Sequence, residues 1–137
     1  MTYHTQYRTY RAFRGGAEGA EMTKVQHQRL IRDNAPNKMR EAGVAFETRQ
    51  LDELEFKSAL LKKVVEEAGE LAASETKADI LGELADLLAV LDQVQRTFTI
   101  TDAELRKARS ANANEKGGFR ERFFLEWSEG GDYTRSV

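Results

Sequence analysis

The side chains able to do chemistry in this chain are almost all carboxylates and cations. The sequence has no cysteine and only two histidines, His4 and His27, both near the N-terminus. This composition excludes disulfides, thiol nucleophiles and cysteine-built zinc sites, and it disfavours a histidine-centred site. Catalysis would therefore use carboxylates, hydroxyls and positively charged groups, so the spacing of the 23 acidic residues becomes the informative feature.

Two acidic pairs with i,i+3 spacing lie in the middle of the chain, Glu67 with Glu70 and Glu83 with Asp86. On a helix, residues at this spacing are about 60° apart and one turn along, so both carboxylates reach one ion. Magnesium prefers hard oxygen ligands and keeps waters that phosphate oxygens replace. Two neighbouring antiparallel helices with one pair each predict a four-carboxylate Mg²⁺ site, with Mn²⁺ as a second candidate.

The spacing alone does not separate a metal site from a solvated helix face, because six acidic i,i+3 pairs occur here and about four are expected by chance. The position of the pairs favours the metal. On a helical wheel Glu83 lies between Val90 and Val94 inside an apolar arc, and Glu67 lies on the rim of another apolar stripe. Carboxylates at such positions are usually paired or metal-bound. The alternative is salt bridging to Lys57, Lys63 or Arg96.

Helical periodicity predicts the elements that would position these carboxylates. Asp52 is a capping candidate for a long helix that continues to about Ala73, and a second long helix spans about residues 78–96. Thr101 caps a third helix that fades before Gly117, which is either a helix C-cap or part of an anion-binding loop.

Near the N-terminus, Asn34 and Pro36 predict a cap and first turn of a short helix that ends at Gly43. Residues 44–48 predict one short extended piece. The predicted fold class is all-α: a small helical bundle of two long antiparallel helices plus shorter helices, with at most a short β element.

The second long helix is unusually apolar, since its apolar positions between Ile80 and Val94 cover an arc of about 220°. A solvated helix in a small monomer needs an arc of roughly 100–140°. This helix therefore predicts a homodimer or a higher homo-oligomer.

Composition bounds the remaining possibilities. The net charge of −2 comes from a mixed surface, which argues against stable nucleic-acid binding driven by bulk charge. No apolar run is long enough for a membrane span and no secretory h-region precedes residue 22, so the cytoplasm is the expected location. Residues 1–21 are predicted to be an N-terminal extension, and residues 22–137 one domain.

The pattern Glu67-x-x-Glu70, twelve residues, then Glu83-x-x-Asp86 resembles the signature of the all-α nucleoside triphosphate pyrophosphohydrolase superfamily, which includes MazG-like enzymes. The sequence is most similar to its predicted house-cleaning branch. Three further segments carry this likeness: Arg29 to Pro36, Val65 to Leu71, and Lys116 to Leu125. Two lysines of the branch pattern are replaced here, by Asn34 and Asn112.

The resemblance implies Mg²⁺-dependent hydrolysis of a nucleoside triphosphate, possibly noncanonical, to the monophosphate and pyrophosphate. Glu66 or Glu70 would be the catalytic base, and Glu67, Glu70, Glu83 and Asp86 would bind the metal. Basic groups would hold the phosphates of the small-molecule nucleotide: Arg29, Arg32, Lys107 and Lys116, with Arg109 and Arg120 as further candidates. The alternatives are a phosphoribosyl-ATP pyrophosphohydrolase and a non-enzymatic helical oligomerisation domain.

Overall fold

The computed structural model describes residues 24–130, in which all regular secondary structure is helical. Four helices follow one another: α1 (Ala35–Glu41), α2 (Glu53–Ala73), α3 (Lys77–Thr97) and α4 (Asp102–Lys116). The all-α prediction is confirmed. The described residues divide between Ala59 and Leu60 into two compact units, which are described separately. The predicted extension, residues 1–21, lies outside the described residues.

Short-range polar contacts explain where the three long helices begin. Thr76 and Thr101 each form a capping box, in which the threonine hydroxyl accepts from the N3 amide and an acidic N3 side chain accepts from the threonine amide. Ahead of α2, the Asp52 carboxylate accepts from the Glu55 amide at 2.8 Å. The predicted caps of α2 and α4 are therefore found, and α3 begins at Lys77 because Thr76 caps it.

The predicted helix entry in the first unit is found, since Asn34 occupies the N-cap of α1 and Pro36 lies in its first turn. The Asn34 backbone is itself helical (φ −84°, ψ −9°), and its side chain makes no capping hydrogen bond. Pro36 has no amide hydrogen, so the first turn offers fewer donors for a cap to satisfy. Residues 44–48 form no strand, since a lone extended segment without a neighbouring strand has no ladder partner.

The second unit contains α2 from Leu60 onward and all of α3, which form a helical hairpin. Only Ser74, Glu75 and Thr76 connect the two helices, and so short a connection makes them antiparallel neighbours. Its most buried apolar side chains are Leu60 on α2 and Val90 on α3. The hairpin therefore fixes how the faces of α2 and α3 meet, which is what positions the carboxylates.

Much of the apolar arc of α3 stays outside this core. Five of its leucine and isoleucine side chains are exposed to solvent, namely Ile80, Leu81, Leu84, Leu88 and Leu91. None of the described helices is both long and apolar enough to cross a membrane. The exposed apolar surface therefore lies on an amphipathic helix that packs one of its sides against α2.

Candidate metal centre

The α2–α3 hairpin brings together three of the four predicted metal ligands. Glu67 and Glu70 on α2 and Glu83 on α3 each offer one carboxylate oxygen, and these oxygens all lie within 4.8 Å of one another. Asp86, the fourth predicted ligand, is exposed and lies outside this group. Both glutamates of the α2 pair therefore belong to this group, whereas the α3 pair contributes only Glu83. We call Glu67, Glu70 and Glu83 the carboxylate cluster.

Glu67 is more deeply buried than its place on the rim of an apolar stripe predicts, whereas Glu70 and Glu83 are half-buried. Glu67 is 7% exposed, which makes it the most buried charged residue of the part of the chain that the structure describes. Oε2 of Glu83 is buried and has no hydrogen-bond partner. A buried carboxylate oxygen without a donor is costly, so this atom is the strongest sign that the cluster is built for a cation or a proton.

Electrostatics at Glu70 point the same way. Burial raises the pKa of the Glu70 carboxyl, and so do the charge of Glu83, a hydrogen bond with Glu83 and the charge of Asp86. Like charges in one site favour the neutral form of one member. Without a metal ion, burial and the neighbouring negative charges therefore favour the protonated form of Glu70. Asp86 acts on the cluster through its charge although it is not within the group of three.

Lys63 supplies positive charge at the edge of the cluster. Its ammonium lies 2.9 Å from an oxygen of Glu66 and 3.0 Å from an oxygen of Glu67, and all three side chains are largely buried. Of the three basic residues predicted as salt-bridge alternatives, Lys63 does pair with a cluster residue. Lys57 contacts Glu53 on the first turn of α2, at 2.8 Å.

The ion pair of Lys63 does not by itself exclude a metal at Glu67. A carboxylate has two oxygens and about four acceptor positions, so Glu67 has acceptor capacity for both cations. The sequence suggested Lys63 only as an alternative to the metal and not as part of the site. Its contact with the two glutamates was predictable from spacing, because Lys63 lies three and four residues before Glu66 and Glu67, which places all three on one face of α2.

The donor set fits magnesium. All the available ligand atoms are carboxylate oxygens, the hard donors that Mg²⁺ prefers, and Glu83 Oε2 has no competing donor. Three carboxylates fill at most part of an octahedron when each binds through one oxygen. The remaining positions would then be open to water or to phosphate oxygens, as they are in known magnesium sites that act on phosphates.

The predicted phosphate-binding residues are distributed over both units. Arg29 and Arg32 are exposed in the first unit, and Lys107 and Lys116 are exposed on α4 in the second. Glu66, one of the two predicted bases, is held by Lys63, whereas Glu70, the other, belongs to the carboxylate cluster.

An open hollow of about 760 Å³ lies at the end of α4. Its polar lining includes Arg106, Asn112 and Arg109, the last of which was a further phosphate-binding candidate. Gly117 also lines this hollow. Its amide donates to the Ala113 carbonyl at 2.9 Å, and its backbone has φ +76°. Of the two predictions for Gly117, the helix C-cap is therefore the one found, because its amide is already used by the helix.

Comparisons with models of protein families, with curated proteins and with solved structures find no match for this chain. The resemblance of its motifs to the all-α pyrophosphohydrolases stays a prediction. The chemistry of the site is therefore argued from its own residues.

Proposed function

We propose that this protein is a Mg²⁺-dependent nucleotide pyrophosphohydrolase with a house-cleaning role, which cleaves a nucleoside triphosphate, standard or noncanonical, to the monophosphate and pyrophosphate. The observation that carries the proposal is the carboxylate cluster with the unpartnered, buried Oε2 of Glu83. Carboxylates that only form salt bridges have partners, so they do not account for a buried oxygen without one. A cation-binding site accounts for this oxygen, because the oxygen is then available as a ligand of the magnesium ion of a magnesium–nucleotide complex.

In this proposal Glu67, Glu70 and Glu83 hold the metal, and Asp86 adds negative charge nearby. Magnesium, when bound, neutralises phosphate charge and polarises the phosphoryl oxygens that it contacts. Glu66 and Glu70 are the two proposed bases, one of which would accept a proton from attacking water. Lys63 holds Glu66 and Glu67 in place, with contacts of 2.9 and 3.0 Å. Mn²⁺ is expected to substitute, because it accepts the same oxygen donors.

The basic residues have a separate role, which is to bind the phosphates of the leaving pyrophosphate. Arg29, Arg32, Lys107 and Lys116 are the proposed groups. The sequence has no Gly-x-x-x-x-Gly-Lys loop that would hold a triphosphate for transfer of its γ-phosphate. We therefore propose cleavage between the α- and β-phosphates. A nucleotide substrate also makes the cytoplasm the proposed site of action.

The test is a hydrolysis screen over standard, deoxy and damaged nucleoside triphosphates, with phosphoribosyl-ATP included, in Mg²⁺ and in EDTA. Products are separated by anion exchange before any pyrophosphatase is added. We expect a monophosphate and pyrophosphate from the unmodified protein, none from Glu83→Gln, and full activity from the matched variant Glu115→Gln on the exposed face of α4. Formation of a diphosphate and orthophosphate would contradict the proposed cleavage point.

We also propose that the protein acts as a homodimer. The support is the set of exposed leucine and isoleucine side chains of α3 between Ile80 and Leu91, because contiguous apolar surface on a soluble protein usually marks an interface. Light scattering after size exclusion should give about twice the 15.5 kDa mass of the chain. A mass of 15.5 kDa at tens of micromolar would contradict this part of the proposal.

A non-enzymatic helical oligomerisation domain is the second candidate. One observation favours it: Lys63 already neutralises part of the negative charge at Glu67, as in a structural ion pair. This candidate predicts a dimer without hydrolysis and without stabilisation by Mg²⁺. Thermal unfolding with and without Mg²⁺ separates the two candidates even before a substrate is found.

A further inference from the structure

Two apolar surfaces of the second unit remain uncovered within one chain. The first, which we call the α3 stripe, consists of Ile80, Leu81, Leu84, Leu88 and Leu91, whose exposed fractions range from 41% to 68%. On a helical wheel these five positions fall within about 100° of one another. Glu83 lies outside this stripe, about 60° from its near edge. The stripe is therefore a surface distinct from the carboxylate cluster.

The second surface is the segment after α4, which we call the aromatic arm, residues 119–127. Phe119, Phe123, Phe124 and Trp127 are between 78% and 97% exposed, and Leu125 is 57% exposed. No helix or strand is formed in this segment. Four exposed aromatic side chains within nine residues are a large apolar surface for a soluble protein to leave in water.

We infer that the aromatic arm of one chain packs on the α3 stripe of a second copy, and that two copies exchange arms reciprocally. Within one chain, the arm and the stripe belong to the same unit and both stay exposed. Helix α3 of the same chain therefore does not cover the arm. A second copy supplies an identical stripe, so each chain offers what the other lacks.

Size and length agree with this assignment. An aromatic side chain buries roughly 150–250 Å² in an interface, so the four aromatic residues of two arms would bury on the order of 1,200–2,000 Å². That is the range of stable protein–protein interfaces. Nine extended residues span about 30 Å, and the 21 residues of α3 span about 31 Å as a helix. The arm is long enough to cover the whole stripe.

Trp127 makes the inference directly measurable, because it is the only tryptophan in the protein. For the full-length unmodified protein we expect a dimer mass at tens of micromolar. On dilution the mass should fall, and the Trp127 emission should move to longer wavelength as the arm enters water. If the arm packed within its own chain, the emission would not depend on concentration, and the inference would be wrong.

Three variants complete the test, each checked for helical content by circular dichroism. An arm variant, F123S with F124S, and a stripe variant, L84S with L88S, should each raise the dimer dissociation constant at least about 30-fold. Val25→Ser, which alters an exposed apolar residue outside both surfaces, should not. Mixing the arm and stripe variants should restore dimers in part, because one of the two reciprocal contacts then pairs an intact arm with an intact stripe.

The inference rests on the proposed self-association, and the outcomes separate the two. A protein that stays monomeric overturns both. A dimer in which the arm variant dissociates like the unmodified protein, or in which mixing restores nothing, overturns arm exchange and leaves self-association standing. None of these measurements depends on hydrolysis, so an inactive protein leaves the test intact.

Discussion

Glu83→Gln should make the metal-free protein more stable while abolishing its response to magnesium. In the unmodified protein, oxygens of Glu67, Glu70 and Glu83 lie within 4.8 Å of one another. The substitution removes one negative charge from this group and replaces an oxygen that has no partner with an amide. The amide nitrogen of the new glutamine can donate a hydrogen bond, which a carboxylate oxygen of Glu70 can accept.

The magnitude follows from Coulomb's law. Two carboxylates 4.8 Å apart repel each other by about 3.5 kcal/mol at an effective dielectric constant of 20. Proton uptake and the ammonium of Lys63 already relieve part of this repulsion. We therefore expect Glu83→Gln to raise the free energy of unfolding by about 1–3 kcal/mol at neutral pH without metal. For a chain of this size, that corresponds to a rise in Tm of roughly 4–12 °C.

Magnesium should narrow or reverse the difference in stability between the two proteins. At a free Mg²⁺ concentration about 100-fold above the dissociation constant, binding to the folded state stabilises the unmodified protein by about 2.7 kcal/mol. Glu83→Gln loses a ligand and should gain almost nothing from Mg²⁺. Without metal the variant is more stable, and with saturating Mg²⁺ the difference narrows or changes sign.

The assay is thermal unfolding followed by circular dichroism at 222 nm, in EDTA and over a Mg²⁺ titration at constant ionic strength. Glu115→Gln, which neutralises an exposed glutamate on α4, controls for the change in net charge. Equal Mg²⁺-dependent shifts for the unmodified protein, Glu83→Gln and Glu115→Gln would refute a specific cation site at the cluster. A less stable Glu83→Gln in EDTA would refute the repulsion on which the magnitude rests.

Three further predictions concern the same unit. The pKa of Glu70 is raised above its ordinary value of 4.5, so the folded state binds more protons than the unfolded state. The stability of the metal-free protein should therefore fall as pH rises from 4.5 through the pKa of folded Glu70. Urea unfolding at several pH values measures this dependence, and Glu70→Gln should flatten it. Lys63→Met should lower the free energy of unfolding by about 1–3 kcal/mol without metal, because it leaves the buried charge of Glu67 without a partner. Mg²⁺ should recover part of that stability. If Mg²⁺ has no effect on the loss, Lys63 does not act through the carboxylate cluster. Thr101→Ala should cost about 1 kcal/mol by removing the capping box of α4, whereas Ser110→Ala within the same helix should not destabilise the protein.

The helices were largely predictable because the interactions that define their ends are local. Thr101 and Glu104 are three residues apart, as are Thr76 and Asp79, so each capping box forms wherever its helix begins. Asn34 shows the limit of such patterns. Its residue type suits an N-cap, but the backbone of Asn34 is helical in this structure, and a side chain caps only from a non-helical residue.

For the site, the sequence by itself determined which carboxylates of one helix share a face, since Glu67 and Glu70 are separated by less than one turn. It also determined that α3 carries more apolar surface than one neighbour covers. Tertiary packing alone decided that Glu83 meets this pair while Asp86 stays exposed, and that Lys63 approaches Glu67 from the edge. The physical reason is that helix periodicity sets angles within a helix, whereas the rotation and axial offset of α3 against α2 depend on how side chains such as Leu60 and Val90 pack.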